Sequence, residues 1–93
     1  MEKEIKQVWV FNGAGGRFPS GIFTKKESAE AWINKNSLTG MLTLYPLNIG
    51  VYDWALSGNL FSPTKEFQSQ SEFIQKFSSA SQEHYHYEDG KKA

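Results

Sequence analysis

The first apolar run along the chain predicts a β-strand. Residues 8–11 read Val-Trp-Val-Phe, four consecutive strand-forming residues without helical spacing, within a strand segment that covers residues 4–12. Both alternating faces of this run are apolar, so we expect a central strand or a strand covered on both sides. A glycine-rich loop over residues 13–21 follows, and residues 22–23 form a short second strand.

The next segment has the pattern of an amphipathic helix. Thr24 and Glu27 fit a capping box, with Thr24 as the N-cap residue and Glu27 as the third helical residue. The apolar positions then follow helical spacing and form one stripe: Ala29, Trp32 and Ile33. Asn36 tolerates the left-handed conformation found where helices end, so the helix is predicted to stop there.

The second half of the chain is predicted to repeat two strands and a helix. Residues 41–45 form a third strand, and residues 51–56 show the two-residue period of a fourth strand. A second capping box at residues 69–72 starts a helix whose apolar stripe is Phe73, Phe77, Ala80 and His84. The order ββαββα predicts an α+β domain of two layers, in which two helices pack on a four-stranded, mainly antiparallel sheet.

We expect the large side chains to form one core. Aromatic residues make up 15% of the 93 residues, and large rings fill the limited core of a small domain efficiently. The expected core members are Trp9, Phe11, Trp32, Ile33, Leu42, Leu44, Trp54, Phe73 and Phe77. The length predicts a single domain over residues 1–93, ordered from about residue 4 to 88, with residues 89–93 as a frayed tail.

Composition and charge exclude several classes of protein. Ten Lys and Arg balance ten Asp and Glu, so the chain lacks the positive charge on which most nucleic-acid binders rely. The absence of cysteine excludes disulfides, thiol catalysis and cysteine-based zinc sites. No apolar segment approaches the ~20 residues that span a bilayer, and the charged residues 1–6 lack the apolar segment of a secretory signal. We therefore expect a cytoplasmic protein with neither nucleic acid nor membrane as a partner.

The glycine loop is the first candidate site. Backbone amides over residues 13–17 can form an anion-binding nest to which Arg17 adds a charge. However, the spacing fits neither the P-loop nor the dinucleotide pattern, and the loop leads into a strand rather than a helix N-terminus. We therefore predict a flexible hairpin loop without a phosphate site. Arg17 and Phe18 remain candidate binding residues, with the alternative that Phe18 folds back on the core.

The two histidines are the second candidate site. His84 and His86 point to one face if the segment is a strand, as in some metal sites, and diverge if it is a helix. A catalytic zinc site usually needs three protein ligands, and the predicted helix turns His84 toward the body and His86 toward water. We therefore assign no metal, no cofactor and no catalytic residue, and keep both histidines as candidate binding residues.

These observations favour a binding protein over an enzyme. The predicted fourth strand directs Asp53 toward solvent or a partner, so Asp53 is a further candidate binding residue. Neutral charge, many aromatic residues and the absence of a catalytic constellation indicate a small non-enzymatic module, adaptor or immunity-like, that binds a protein partner or itself. The alternative is a small metal-dependent or histidine-based hydrolase that uses His84 and His86.

Several segments resemble a small bacterial domain family of unknown function. The resemblance rests on Trp-Val-Phe at 9–11, Phe-Pro-Ser-Gly-Ile-Phe at 18–23, Tyr-Asp-Trp-Ala at 52–55 and Gln-Glu-His-Tyr-His-Tyr-Glu-Asp-Gly at 82–90. It extends over about residues 8–90 and implies a bacterial origin and a fold of this class, but no particular activity.

Overall fold

Five strands and three α-helices are present in residues 4–93, the part of the chain that the computed structural model describes. In chain order they are β1 Gln7–Gly13, β2 Gly21–Phe23, α1 Lys26–Lys35, β3 Gly40–Pro46, α2 Val51–Ser57, α3 Ser71–Ile74, β4 His84–Glu88 and β5 Lys91–Lys92. A single 3₁₀ turn, Glu66–Ser69, precedes α3. The α+β class is confirmed, whereas the predicted four strands and two helices are too few.

All strands belong to one antiparallel sheet with the order β2-β1-β3-β4-β5. β1 lies between β2 and β3, as the apolar character of both of its faces predicts. Trp9 is opposite Leu44, Phe11 is opposite Leu42, and Leu42 is in turn opposite Tyr85. The predicted antiparallel pairing is therefore confirmed, and the sheet places these side chains in one layer.

The segment predicted as a fourth strand, residues 51–56, is the helix α2, so that prediction is wrong. The Trp54 N–H donates to the Gly50 carbonyl at 2.9 Å, which closes the first helical turn. Tyr52 and Ala55 are buried, and a spacing of three residues directs both to one side of a helix. β3 already pairs with β1 and β4, so no position beside β3 remains for this segment.

The segment predicted as a long second helix is helical only over Ser71–Ile74. Beyond it, the Ser79 N–H donates to Gln82 Oε1 at 3.3 Å, and the Ser81 N–H donates to Ser79 Oγ at 3.2 Å. Such local bonds between side chains and backbone compete with helical hydrogen bonds. The chain then extends as β4 and pairs with β3. The predicted helical stripe that ends at His84 is therefore wrong.

α1 occupies the predicted segment, but its N-terminus is not a capping box. It begins at Lys26, two residues after Thr24, and among the described residues no side chain caps it. At the other end, Asn36 follows the last helical residue as predicted, and its Nδ2 donates to the Trp32 carbonyl at 2.9 Å. The left-handed residue is the next one, Ser37, with φ of 52°.

One cluster of buried side chains lies between α1 and the sheet. Its members are Trp9, Phe11, Ala29, Ile33, Leu42 and Tyr87. Phe11 is 1% exposed, and its ring meets Trp32 edge to face with centroids 5.7 Å apart. Trp32 and Leu44 are only half-buried and pack against this cluster. Four of the nine residues expected in the core are thus buried members of this cluster, and Tyr87 joins them because β4 is a strand.

The single core expected from the sequence is wrong, because three of the predicted core residues lie outside this cluster. Phe73 and Phe77 belong to a second aromatic cluster, whose other members are Tyr52, Phe61 and Phe67. The Phe61 and Phe77 rings are 5.0 Å apart between centroids. Trp54 is half-buried on α2. This second cluster joins α2 to α3, whereas the first joins α1 to the sheet.

Within residues 4–93, no helix is both long and apolar enough to cross a membrane; α1, with 10 residues, is the longest. The predicted absence of a secretory signal rests on residues 1–6, of which residues 1–3 lie outside the described part. At the other end, Lys91–Lys92, within the segment expected to fray, pair with β4 as β5.

Candidate functional site

The sheet has a second face, opposite the face that packs on α1. Because side chains alternate along a strand, Trp9 and Phe11 point toward α1 and Val10 points to the other side. The register places Ile22 and Thr43 beside Val10 on that side. We call this side the open face. Its residues are Val8, Val10, Asn12, Ile22, Met41, Thr43, Tyr45, His84, His86 and Glu88.

The open face is accessible over much of its area. Ile22 is 67% exposed, and Met41, Thr43 and Tyr45 are half-buried, although Val10 at the centre is buried. A shallow depression of about 500 Å³ over β3 is lined by residues of strands and adjoining loops. The molecule measures 19 Å along its shortest principal axis, which accommodates a sheet and one helical layer packed about 10 Å apart. Of the helices, α1 packs on the side of the sheet opposite the open face.

β4 places both histidines on the open face. His84 is opposite Thr43 and His86 is opposite Met41. Both histidines are exposed, and their ring centroids are 6.0 Å apart with planes at 80°. The helical arrangement favoured by the sequence analysis, in which the two imidazoles diverge, is wrong. The extended alternative, with both rings on one face, is the observed one.

The glycine loop uses its backbone amides to hold its own shape. The Ala14 N–H donates to the Thr39 carbonyl at 2.9 Å, and the Gly16 N–H donates to the Gly13 carbonyl at 3.0 Å. Gly15 has φ of 81°, a conformation that glycine adopts without steric cost. Two of the amides that a phosphate nest would use are thus already bonded. This arrangement agrees with the predicted hairpin loop.

The structure does not bring the other candidate residues to the histidines. Arg17 and Phe18 lie in the loop between β1 and β2, whereas β4 is on the far side of β3. Phe18 is 77% exposed, so the alternative in which it folds back on the core is wrong. Asp53 is exposed in the first turn of α2 rather than on a strand. The five candidate binding residues therefore lie in three separate places: Arg17 and Phe18 in the loop, Asp53 on α2, and His84 and His86 on β4.

A polar network beside the core contains residues that the sequence analysis did not single out. The Tyr87 hydroxyl donates to Glu30 Oε2 at 2.5 Å, and Lys92 Nζ lies 3.3 Å from the same oxygen. Lys26 Nζ and Lys92 Nζ lie 3.9 and 4.4 Å from the Tyr85 ring centroid, within cation–π range. The alternation of Tyr85 and Tyr87 is the sequence signal that points to this network, once the segment is read as a strand.

The network shifts the acidity of its members in opposite directions. The hydrogen bond from Tyr87 is the main cause that lowers the pKa of Glu30 below its ordinary value of 4.5; burial opposes this effect, and Lys92 adds to it. Burial is the main cause that raises the pKa of Tyr87 far above its ordinary value, and the Glu30 carboxylate acts in the same direction. Both shifts keep Tyr87 protonated and Glu30 ionised at neutral pH.

Replacing Tyr87 with phenylalanine is expected to lower the free energy of unfolding by about 1 kcal/mol at pH 7. The substitution removes a hydrogen bond to a charged group, which usually contributes more to stability than a neutral hydrogen bond. The partial exposure of Glu30 to solvent lowers that contribution here. Because folding lowers the pKa of Glu30, the contribution of its ionised form is complete above pH 4.5 and is lost as the pH falls through the folded pKa. Urea titrations from pH 7 to pH 3 measure the difference between the two proteins.

The matched control is Tyr85→Phe. The Tyr85 hydroxyl bonds to Glu83 at the surface, so its removal is expected to leave the free energy of unfolding unchanged at every pH. A Tyr87→Phe deficit that is the same at pH 3 and pH 7 would show that the hydroxyl does not act through the Glu30 carboxylate.

The fold and the open face define a small α+β domain, in which a helix packs on one side of a five-stranded antiparallel sheet. A family model described as a domain of unknown function (DUF7710) matches residues 8–93, and the chain belongs to this family. The resemblance inferred from the sequence to a family of unknown function is thereby confirmed. A search of curated proteins and a search of solved structures each found no match.

Proposed function

We propose that this chain is a small non-enzymatic module that binds a protein partner through the open face of its sheet. The observation that supports the proposal is the group of accessible apolar side chains on that face, Ile22, Met41 and Tyr45 among them. Contiguous accessible apolar surface rimmed by polar residues is typical of protein interaction sites. Here the histidines and Asn12 supply polar positions beside the apolar ones.

The edges of the sheet are less suited to binding than its face. β2 and β5 are the edge strands and contain 3 and 2 residues. Short edge strands offer few unpaired backbone groups to an incoming strand, and β5 consists of Lys91 and Lys92, whose charge discourages strand addition. The partner is therefore expected to contact side chains of the face rather than to extend the sheet.

The role that we propose is that of a cytoplasmic adaptor or an immunity-like protein. A net charge of zero gives no long-range attraction toward nucleic acid or an anionic membrane. We therefore expect the open face to recognise its protein partner through complementary shape and apolar contacts. The alternative, a hydrolase based on the histidines, requires a cationic or acidic partner beside them. Glu88 lies on the same face, but the depression next to His86 is otherwise lined by uncharged residues such as Thr43 and Tyr45. The binding module is therefore the preferred proposal.

Photo-crosslinking in cells of the native host tests this proposal. A benzoylphenylalanine residue replaces Ile22 on the open face or, as a control, the exposed Ala31 on α1. We expect a discrete protein adduct from position 22, identified by mass spectrometry, and none from position 31. The adduct is expected to disappear when Met41→Asp introduces an unpaired charge on the same face.

Two outcomes would overturn the proposal. One is the absence of any adduct from position 22 although the protein is folded and the photochemistry is active. The other is the same set of adducts from positions 22 and 31, which would indicate contact without a preferred surface. An adduct whose mass is twice that of the chain would identify the partner as a second copy and would support the proposal.

A further inference from the structure

We propose that His84, His86 and Met41 form a binding site for a copper(I) ion on the open face. The three side chains belong to two neighbouring strands, with His86 directly opposite Met41 and His84 two residues earlier on the same side of β4. Directly opposite side chains on one face have Cβ atoms about 5 Å apart, and diagonal neighbours about 7–8 Å. Two nitrogen donors and one sulfur donor can therefore converge on one point.

The spacing of the imidazole rings fits a shared ion. A ring bound through one nitrogen at about 2 Å has its centre about 3 Å from the metal, so two rings on one ion lie about 5–6 Å apart. The observed separation of the His84 and His86 centroids is 6.0 Å. Both residues are exposed, so small side-chain rotations can adjust the angle between the rings without disturbing the core.

A hydrogen bond prepares His84 for metal binding. Its Nδ1 lies 2.7 Å from the Gln82 carbonyl oxygen, which can only accept, so Nδ1 carries the proton. In the neutral ring, Nε2 then has a free lone pair and is the atom that binds a metal. A backbone carbonyl that accepts from the other nitrogen is the usual way in which proteins orient a metal-binding histidine. Gln82 is itself held, because its Nε2 donates to the Leu44 carbonyl at 3.2 Å.

The third donor selects the metal. Met41 and His86 line the same depression over β3, and a thioether is a soft ligand that favours copper(I) over zinc. Glu88 lies on the same face, but within residues 4–93 no three His, Cys, Asp or Glu side chains are placed to hold a metal ion together. A hard carboxylate, which would favour zinc, is therefore not the third ligand, and the donor set is two imidazoles and a thioether.

Competition with a chromophoric copper(I) chelator such as bicinchoninate tests the site under anaerobic conditions. We expect the purified chain to bind one equivalent of copper(I) with a sub-micromolar dissociation constant. His84→Ala and His86→Ala are each expected to weaken copper(I) binding by about tenfold or more. Met41→Leu, which keeps the apolar volume, is expected to weaken copper(I) binding to a similar extent and to leave zinc binding unchanged.

A second measurement separates loss of a ligand from loss of the fold. In the folded wild-type chain, copper(I) is expected to shift the Met41 methyl signal and both imidazole signals together in NMR spectra. The assignment is overturned if copper(I) shifts only the imidazoles, if Met41→Leu binds copper(I) as tightly as wild type, or if binding is weaker than micromolar. The experiment uses the isolated chain, so its failure leaves the proposed protein docking untouched.

Discussion

Phe11→Ala is expected to lower the free energy of unfolding by about 4 kcal/mol, in the middle of the range for truncation of a buried phenylalanine. Phe11 is 1% exposed at the centre of the cluster between α1 and the sheet. The variant removes the edge contact with Trp32 and leaves a cavity beside Leu42, its cross-strand neighbour. Because paired strands hold the backbone on both sides of Phe11, the site cannot collapse to fill that cavity.

Urea unfolding followed by tryptophan fluorescence measures this loss, and Phe18→Ala is the matched control. Both substitutions remove the same atoms, but Phe18 is 77% exposed in the glycine loop, so its loss is expected to change stability by less than about 0.5 kcal/mol. Equal effects of the two substitutions would contradict the burial that we describe for Phe11.

Gly40→Ala is expected to cost about 3 kcal/mol, a large effect for the addition of one methyl group. A Cβ atom at this position would lie 2.3 Å from the Asn12 carbonyl oxygen and 2.8 Å from both Gly13 Cα and Phe11 Cζ. The first two contacts are with the backbone of β1, which pairs with β3 at this point. The strands would have to separate, with loss of ladder hydrogen bonds, before alanine could be accommodated.

Gly58→Ala is the control for Gly40→Ala. Gly58 follows α2 with φ of −88°, and an added Cβ atom would meet its nearest neighbours at 3.5 Å, which is ordinary contact. We therefore expect a change in stability of less than about 1 kcal/mol, of either sign. Thermal unfolding of both variants measures the difference. A Gly40→Ala protein as stable as Gly58→Ala would show that the two strands are not as close as described.

Local patterns predicted most of the first half of the fold, because the apolar patterns there matched the tertiary arrangement. The apolar run at residues 8–11 lies within β1, and Ala29 and Ile33 are the buried residues of α1. The capping box at Thr24 was a false signal, since helix α1 starts two residues later. The identity of the end residues therefore did not determine where the helix began.

The second half shows where such patterns are ambiguous. The short segment at residues 51–56 fits both the two-residue period of a strand and, through Tyr52 and Ala55, the three-residue spacing of a helix. Its neighbours in space decide between the two. Both sides of β3 are occupied by other strands, so this segment folds as α2. Likewise, residues 82–88 fit either a helical stripe or an alternating strand, and pairing with β3 selects the strand.

For the candidate sites as well, residue type was visible in the sequence, whereas contacts between distant residues were not. His84 and His86 could be chosen from the sequence because a histidine is a possible metal ligand or acid–base group wherever it occurs. Their spacing of two residues also allowed both geometries of the pair, on a strand or on a helix, to be predicted. The sequence could not associate Met41 with them, since 45 positions separate Met41 from His86 along the chain and only the β3–β4 register brings them opposite each other. The bond between Glu30 and Tyr87, 57 positions apart, has the same origin.

Residue type and local spacing determined the α+β class, the glycine loop, the first helix and the chemical character of the candidate residues. These properties depend on backbone preferences and on contacts within a few positions of the chain. Tertiary structure decided the fate of residues 51–56 and 82–88, the division of the aromatic residues into two clusters, and the open face. Each of these depends on which strand pairs with which, because hydrogen bonding and burial between distant segments outweigh weak local preferences.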